Sequence, residues 1–364
     1  MSAPIVVRAP NWVGDQILAL PFFDLLRKKY PRETIVAACP PWVADLHFRD
    51  LVDDVFVIEL NRKSGLLERL RTNHDAARFF RKRYGRAQLG ISLPNSWSTA
   101  WFLKSAGAAV RRGYGAEGRG VLLTDKRSWK VANKKHRAQA YCDLAFEVGA
   151  TVPDVFGFWN GRDLFSAERS WPSTVQERLP SSVQSGSYVV VAPGATADSR
   201  RWPLERFAGL MNQIHEAWKT TFVVVGGPAE QPLAGKLQSM VSATVIDKTG
   251  GGPVGRLAEL FKHAKLTIGN ESGLAHVASL CGPAVQIVCG AADPRRTQPL
   301  GPGKVQVRFN PVSCWPCEKN VCFQSGDRHL DCLRGITSND VWSDLSRNNG
   351  GTEEDRFSSS TRGT

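Results

Sequence analysis

Short apolar runs alternate along the chain with longer stretches of mixed polarity, and the two kinds of segment have different periods. In the first half, IVVRA, TIVAAC, VFVIEL and LGISL are short and almost continuously apolar, which predicts buried strands. Between them, stretches such as ILALPFFDLLRKKY and SWSTAWFLKSAGA repeat apolar positions at helical spacing. HRAQAYCDLAFEVGA predicts a helix closing this half. Buried strands joined by helices predict a parallel sheet covered on both faces.

The pattern breaks after Ser170. SWPSTVQERLPSSVQSGS is polar, carries two prolines and has little periodicity, which predicts a linker. A second alternating series follows: YVVVAPGA, PLERFAGLMNQIHEAW, TFVVVGG, ATVID, PVGRLAELFKHA, LTIGNES, GLAHVASLC and AVQIVCG. The expectation is an α/β protein of two Rossmann-like domains, over 1–170 and 188–335, with a linker over 171–187. TSNDVWSDL predicts a further helix within 336–346, and the polar, Gly/Ser-rich residues 347–364 predict a disordered tail. Two such domains place a ligand crevice between the carboxyl ends of their strands.

Composition narrows the setting. With 364 residues, 42% hydrophobic and 22% charged, the chain can build two ordinary cores. It has no apolar run long enough for a transmembrane helix and no signal-peptide pattern, so a cytoplasmic protein is expected. The net charge of +13 favours anionic partners. Its basic residues lie in small clusters without zinc-finger spacing or an RNA-binding aromatic signature, so nucleic acid is not the expected partner.

Three junctions carry candidate chemistry. APGATADSRRWP follows a strand and precedes a helix. Its small residues let backbone N–H groups approach an anion, and Arg200 and Arg201 add bidentate cations suited to phosphate. TIGNESGLAHVASLCGP places Ser272 and Gly273 at a helix N-terminus, where free N–H groups favour a pyrophosphate. Glu271 there can accept from ribose hydroxyls, and His276 follows Ser272 by one turn. Ser272 reads equally as an ordinary N-cap and Glu271 as an ordinary strand-end acid. The third junction, PNWVGDQ, sets Asp15 in the first turn of the first helix, as a cap or as a reacting carboxylate. No GxxxxGK[ST] loop is present, nor a GxGxxG in a strand–helix setting, which disfavours P-loop nucleotidases and nicotinamide dehydrogenases.

Taken in order, APNWVGDQILALP, LPNSWSTAWFLKSAGAAVRRGYGAEGRGVLLTD, APGATADSRRWP and GNESGLAHVASLCGPAVQIVCG resemble the lipopolysaccharide heptosyltransferases of glycosyltransferase family 9. PNWVGD and LPNS are most similar to its heptosyltransferase II members, and the resemblance covers residues 5 to 345. It implies the GT-B fold, with a C-terminal helix crossing back to the first domain. It implies inverting transfer of heptose from ADP-L-glycero-D-manno-heptose to a lipid A–Kdo–heptose-type acceptor, with no cofactor required for catalysis. The net positive charge suits such an acceptor at an anionic membrane surface, so peripheral contact with the inner face of the inner membrane is expected. By resemblance, Asp15 is the general base. Arg200 and Arg201 meet the diphosphate, Glu271 the ribose, and Thr196, Ser272, Gly273, Leu274 and His276 complete the donor site. Asn11, Gly14, Asn95, Ser96, Lys104, Arg111, Arg112 and Arg119 are the candidate acceptor contacts. Two positions depart from the family's habit: Glu271 stands where aspartate is usual, and Arg200 where lysine is frequent. The nearest alternative is a family 9 glycosyltransferase using another sugar nucleotide or surface-glycan acceptor, and a catalytically inert nucleotide-sugar-binding protein is the alternative from another class.

Four of the eight cysteines form Cys314-x2-Cys317-x4-Cys322-x9-Cys332. In a cytosolic protein that spacing reads as a candidate structural zinc site, or as loop thiols that bind nothing.

Overall fold

A computed structural model describes residues 3–47, 50–61, 64–155, 158, 179–181 and 183–349. Residues 171–178 and 182 of the expected linker and 350–364 of the expected tail lie outside the described residues.

The first half contains strands β1 (Ile5–Arg8), β2 (Ile35–Cys39), β3 (Asp54–Val57), β4 (Leu89–Ser92), β5 (Val110–Tyr114) and β6 (Asp125–Arg127). Its helices are α1 (Val13–Leu18), α2 (Leu20–Lys29), α3 (Leu66–Tyr84), α4 (Trp97–Ser105), α5 (Trp129–Ala132) and α6 (Arg137–Asp143). The second half has strands β7 (Tyr188–Ala192), β8 (Thr221–Gly226), β9 (Val245–Thr249), β10 (Leu266–Asn270), β11 (Ala284–Cys289) and β12 (Val305–Phe309). Its helices are α7 (Leu204–Trp218), α8 (Gln231–Met240), α9 (Ala258–Lys262), α10 (Gly273–Leu280), α11 (Pro294–Thr297), α12 (Asp331–Arg334) and α13 (Ser338–Asn349).

Both sheets are wholly parallel, ordered β3-β2-β1-β4-β5-β6 and β12-β11-β10-β7-β8-β9. Counted from its own first strand, each is the same doubly wound 3-2-1-4-5-6 sheet. Residues along β1 explain why the strand runs are so apolar. Ile5 and Val7 bury toward α1 and α2, while Val6 packs on the opposite face with Phe80 and Phe102 of α3 and α4. A strand covered on both faces has no position left for a polar alternation.

Three strands carry no such signal. β5 (VRRGY) and β6 (DKR) lie toward one edge of the first sheet, and β12 is an edge of the second, with mostly half-buried residues. The helix expected over ILALPFFDLLRKKY is two, interrupted at Ala19. Pro21 has no N–H to continue the first helix and sits instead in the first turn of the second.

The C-terminal helix differs from expectation. α13 does not cross back to the first sheet. Val341 and Leu345 bury in the second half's core, Ser338 Oγ donates to Arg206 O at 2.8 Å, and Trp342 packs on Trp218 of α7 at 5.9 Å. A single apolar stripe cannot cover two sheets, and α7 takes this one.

The halves meet chiefly through α1 and α10. A Cβ on Gly14 would lie 2.6 Å from the His276 ring, and one on Gly273 would lie 2.8 Å from Val13 Cβ. Gly255 N also donates to Asp45 Oδ2 at 2.9 Å. Gly273→Ala should therefore wedge the two helix ends apart, at a cost of about 1–3 kcal/mol for overpacking. A urea-unfolding midpoint equal to that of the unaltered chain would refute the close approach.

Candidate functional site

The first half of the site is built where β1 and β4, adjacent at the centre of the sheet, release their chains in opposite directions. β1 is followed by Pro10, Asn11 and Trp12, and β4 by Pro94 and Asn95. α1 begins at Val13 with no side chain capping it, and Asp15 sits in its first turn, where free N–H groups favour a carboxylate. A cavity of about 190 Å³ lies here, lined by Asn11, Trp12, Asp15, Asn95, Arg137 and Tyr141 among others. Tyr141 of α6 is buried, and its hydroxyl donates to Asp15. Burial first, and Asp15's charge second, push the phenol far above its usual range, so it stays a donor. Arg137, one turn earlier on α6, hydrogen-bonds Tyr141 and lies in the field of Asp15.

Arg137 and Tyr141 were not among the expected site residues. Their signal was the i, i+4 spacing in HRAQAY, which sets both on one helical face. Of the expected acceptor contacts, Asn11 and Asn95 line the cavity. Gly14 lies beneath the His276 ring, and Ser96 flanks α4 with its hydroxyl 3.2 Å from that of Ser98.

The four basic candidates do not line the cavity. Lys104 is exposed on α4, over the Trp101 ring. Arg111 donates to Leu122 O and Ala108 O, each at 2.8 Å. Arg112 is buried against Asp125 at 2.6 Å and reaches Leu144 O, and Arg119 is wholly buried. A guanidinium inside the fold must place its donors on protein acceptors, which leaves few for a ligand.

The second half of the site stands at the matching point of the other sheet, where β7 and β10 are neighbours. Asn270 ties the two strand-end loops together, accepting from Trp202 N at 2.9 Å and donating to Pro193 O at 2.7 Å. Arg200 Nη1 lies 2.9 Å from Glu271 Oε2. Glu271 is 5% exposed, and burial raises its carboxyl to about 7. Arg200 opposes that rise and Asp15 adds to it, so the carboxyls of the two halves feel each other across the boundary. Arg201 turns to Ala195 O at 2.7 Å and to Asp198 at 2.9 Å. Thr196 is exposed on the same loop, and Leu274 is half-buried on α10.

Ser272 does not act as an ordinary N-cap: α10 starts without a side-chain cap bond. Ser272 Oγ, Arg200 Nε and His276 Nδ1 are buried with no hydrogen-bond partner among the described residues. Burial lowers His276 to about 3, with His136 and Arg200 adding to the effect, so its imidazole is neutral. Uncapped helix N–H groups beside a guanidinium and an unpaired hydroxyl are what a diphosphate requires.

The candidate zinc site gains no support among the described residues. All four cysteines are free thiols, and among the described residues no group of three or more His, Cys, Asp or Glu is placed to hold a metal. Cys332 is buried in the second half's core, and burial together with the neighbouring sulfurs of Cys317, Cys314 and Cys322 pushes it up to about 11. Cys322 Sγ accepts from Leu330 N at 3.4 Å.

The raised Glu271 carboxyl has a consequence for stability. Between about 4.5 and about 7 the folded chain keeps a proton that the unfolded chain has lost. Its contribution is therefore full below about pH 4.5 and disappears as pH rises through about 7. Compared with Glu271→Gln, the unaltered protein should lose Tm between about pH 5 and about pH 8. Parallel Tm–pH curves would show that no such carboxyl is buried.

Known proteins show the same framework. The model of glycosyltransferase family 9 (heptosyltransferase) matches residues 77–326. The lipopolysaccharide heptosyltransferase 2 of Escherichia coli (strain K12) is 27% identical over 310 residues, covering 81% of this chain and 85% of that one. The solved E. coli ADP-heptose LPS heptosyltransferase II superposes with a TM-score of 0.69 at 22% identity, over 94% of this chain and 98% of that chain. E. coli heptosyltransferase WaaC with ADP-2-deoxy-2-fluoro heptose gives 0.66 at 17%, over 95% and 99%. Two parallel doubly wound sheets meeting at their switch points are the GT-B arrangement, and the chain belongs to glycosyltransferase family 9.

Proposed function

We propose that the protein is an inverting glycosyltransferase that moves heptose from ADP-L-glycero-D-manno-heptose to the inner core of lipopolysaccharide, in the manner of heptosyltransferase II. The observation that carries this reading is the convergence of Asp15 from one sheet with Arg200, Glu271 and the uncapped start of α10 from the other. The names of the heptosyltransferase relatives supply the sugar and the acceptor.

An inverting displacement needs a base on the acceptor side and anion stabilisation on the donor side. Asp15 takes the proton of the acceptor hydroxyl while Tyr141 and Arg137 orient it. The hydroxyl oxygen bonds to the anomeric carbon opposite the diphosphate, whose C–O bond breaks and carries the electron pair onto ADP. Arg200, Arg201 and the N–H groups of α10 receive that charge. Glu271 leaves its pairing with Arg200 to accept from the ribose, and Thr196, Ser272, Gly273, Leu274 and His276 line the donor side.

No helix among the described residues is long and apolar enough to cross a membrane. The acceptor is a lipid, and α3 offers a surface for its bilayer. Leu67 and Phe79 are 82% and 68% exposed beside the exposed Arg71, Arg78 and Lys82. On an anionic leaflet each such cation contributes about 1 kcal/mol, so the enzyme works peripherally at the cytoplasmic face of the membrane.

Asp15→Asn should lower heptosyl transfer about 10²–10⁴-fold while the protein still gains Tm with ADP. ADP release from ADP-heptose and a heptose-deficient lipid acceptor reads the rate. Undiminished release by Asp15→Asn would sink the assignment of the base, and a Tm gain with UDP or GDP but not ADP would sink the donor.

A further inference from the structure

Two arginines of the first half are buried without a salt-bridged carboxylate among the described residues: Arg8 and Arg119, both at 0% exposure. Each ends on an asparagine at the mouth of the sheet. Arg8 Nη1 donates to Ala9 O at 2.7 Å and Ala38 O at 3.2 Å, and its Nη2 to Asn11 Oδ1 at 2.8 Å. Arg119 Nε donates to Tyr114 O at 2.8 Å, its Nη1 to Pro94 O and Ser92 Oγ, and its Nη2 to Asn95 Oδ1 at 2.8 Å.

A guanidinium has donors and no acceptor, so an amide facing it must present its oxygen. The orientation of both asparagines thus follows from chemistry, independently of how amide O and N are told apart. Each NH2 group is turned to the other side. Asn11 and Asn95 follow adjacent strands and line the same cavity as Asp15. Among the described residues neither amide nitrogen has a protein partner.

We infer that Asn11 and Asn95 donate hydrogen bonds to the acceptor sugar, with Arg8 and Arg119 as positioning residues that lock both amides donor-outward. The inference rests on the proposed transfer and deepens its acceptor side. The cavity then reads a sugar by polarity. Oxygens that accept from two amides flank the one hydroxyl that gives its proton to Asp15, so the pair selects which hydroxyl reacts. The ligand class is a polyhydroxylated sugar whose reactive hydroxyl has acceptor oxygens (ring, glycosidic or acidic) on both sides.

Asn→Asp is the discriminating substitution, because it keeps the oxygen on the arginine and replaces only the outward NH2 with oxygen. Asn11→Asp and Asn95→Asp should each raise the acceptor KM about 10-fold, leave the ADP-heptose KM within about twofold, and leave Tm unlowered. An unchanged acceptor KM, or an equal rise in both KM values, overturns the donor role, and a fall in Tm overturns the arginine contact. Calorimetric binding of heptose-deficient core oligosaccharide to the same variants reads the amides without turnover. If the unaltered protein transfers no heptose, the functional reading fails, and weaker oligosaccharide binding by the variants still supports this one. Equal binding, or none by the unaltered protein, overturns it.

Discussion

The contact of α1 with α10 is the constraint on which the rest depends. Each helix starts at the carboxyl edge of its own sheet, and each can touch the other only because Gly14 and Gly273 carry no side chain. Helix ends packed this closely bring two N-termini, with their unpaired N–H groups, to one place. The cleft is therefore electropositive at both lips before any side chain is counted. Asp15 and Glu271 are the acids set into it, and their mutual field is a direct result of that glycine-to-helix packing.

Charge in this region is arranged by burial more than by ion pairing. His276, pressed onto Gly14, is neutral, so it adds bulk and a ring nitrogen without a second positive charge beside Arg200. Glu271 is raised despite its arginine, which leaves the pair easily separated by a ligand that offers Arg200 a better anion. In the first half the opposite holds. Burial lowers Arg8 and Arg119 only to about 10, so both keep their protons at neutral pH and keep orienting the loops above them.

The site was legible where chemistry coincides with a strand–helix junction. Asp15, Arg200, Glu271 and Ser272 all follow strands whose apolar runs announce them, so their placement at the cleft followed from the pattern. Arg111, Arg112 and Arg119 misled for a physical reason. A basic cluster in sequence does not show whether its donors are satisfied within the fold, and these three are. Arg137 and Tyr141 were missed because α6 is short and its spacing resembles any amphipathic helix. The cysteine spacing left two readings open, since spacing says nothing of whether Cys332 faces a metal or the core, and the fold buries Cys332 in the core.

The sequence by itself determined two parallel doubly wound sheets, because strands buried on both faces must be apolar throughout and helices between them must show their own period. It also determined which junctions carry charge. Tertiary structure alone decided the polar strands β5, β6 and β12, which are recruited by pairing with a neighbour already in place. It decided that α13 covers α7, and that the buried arginines face inward. Above all it decided that Asp15 faces the second half: Asp15 and Glu271 lie 256 positions apart in sequence, and only the glycine-lined contact of α1 and α10 brings them together.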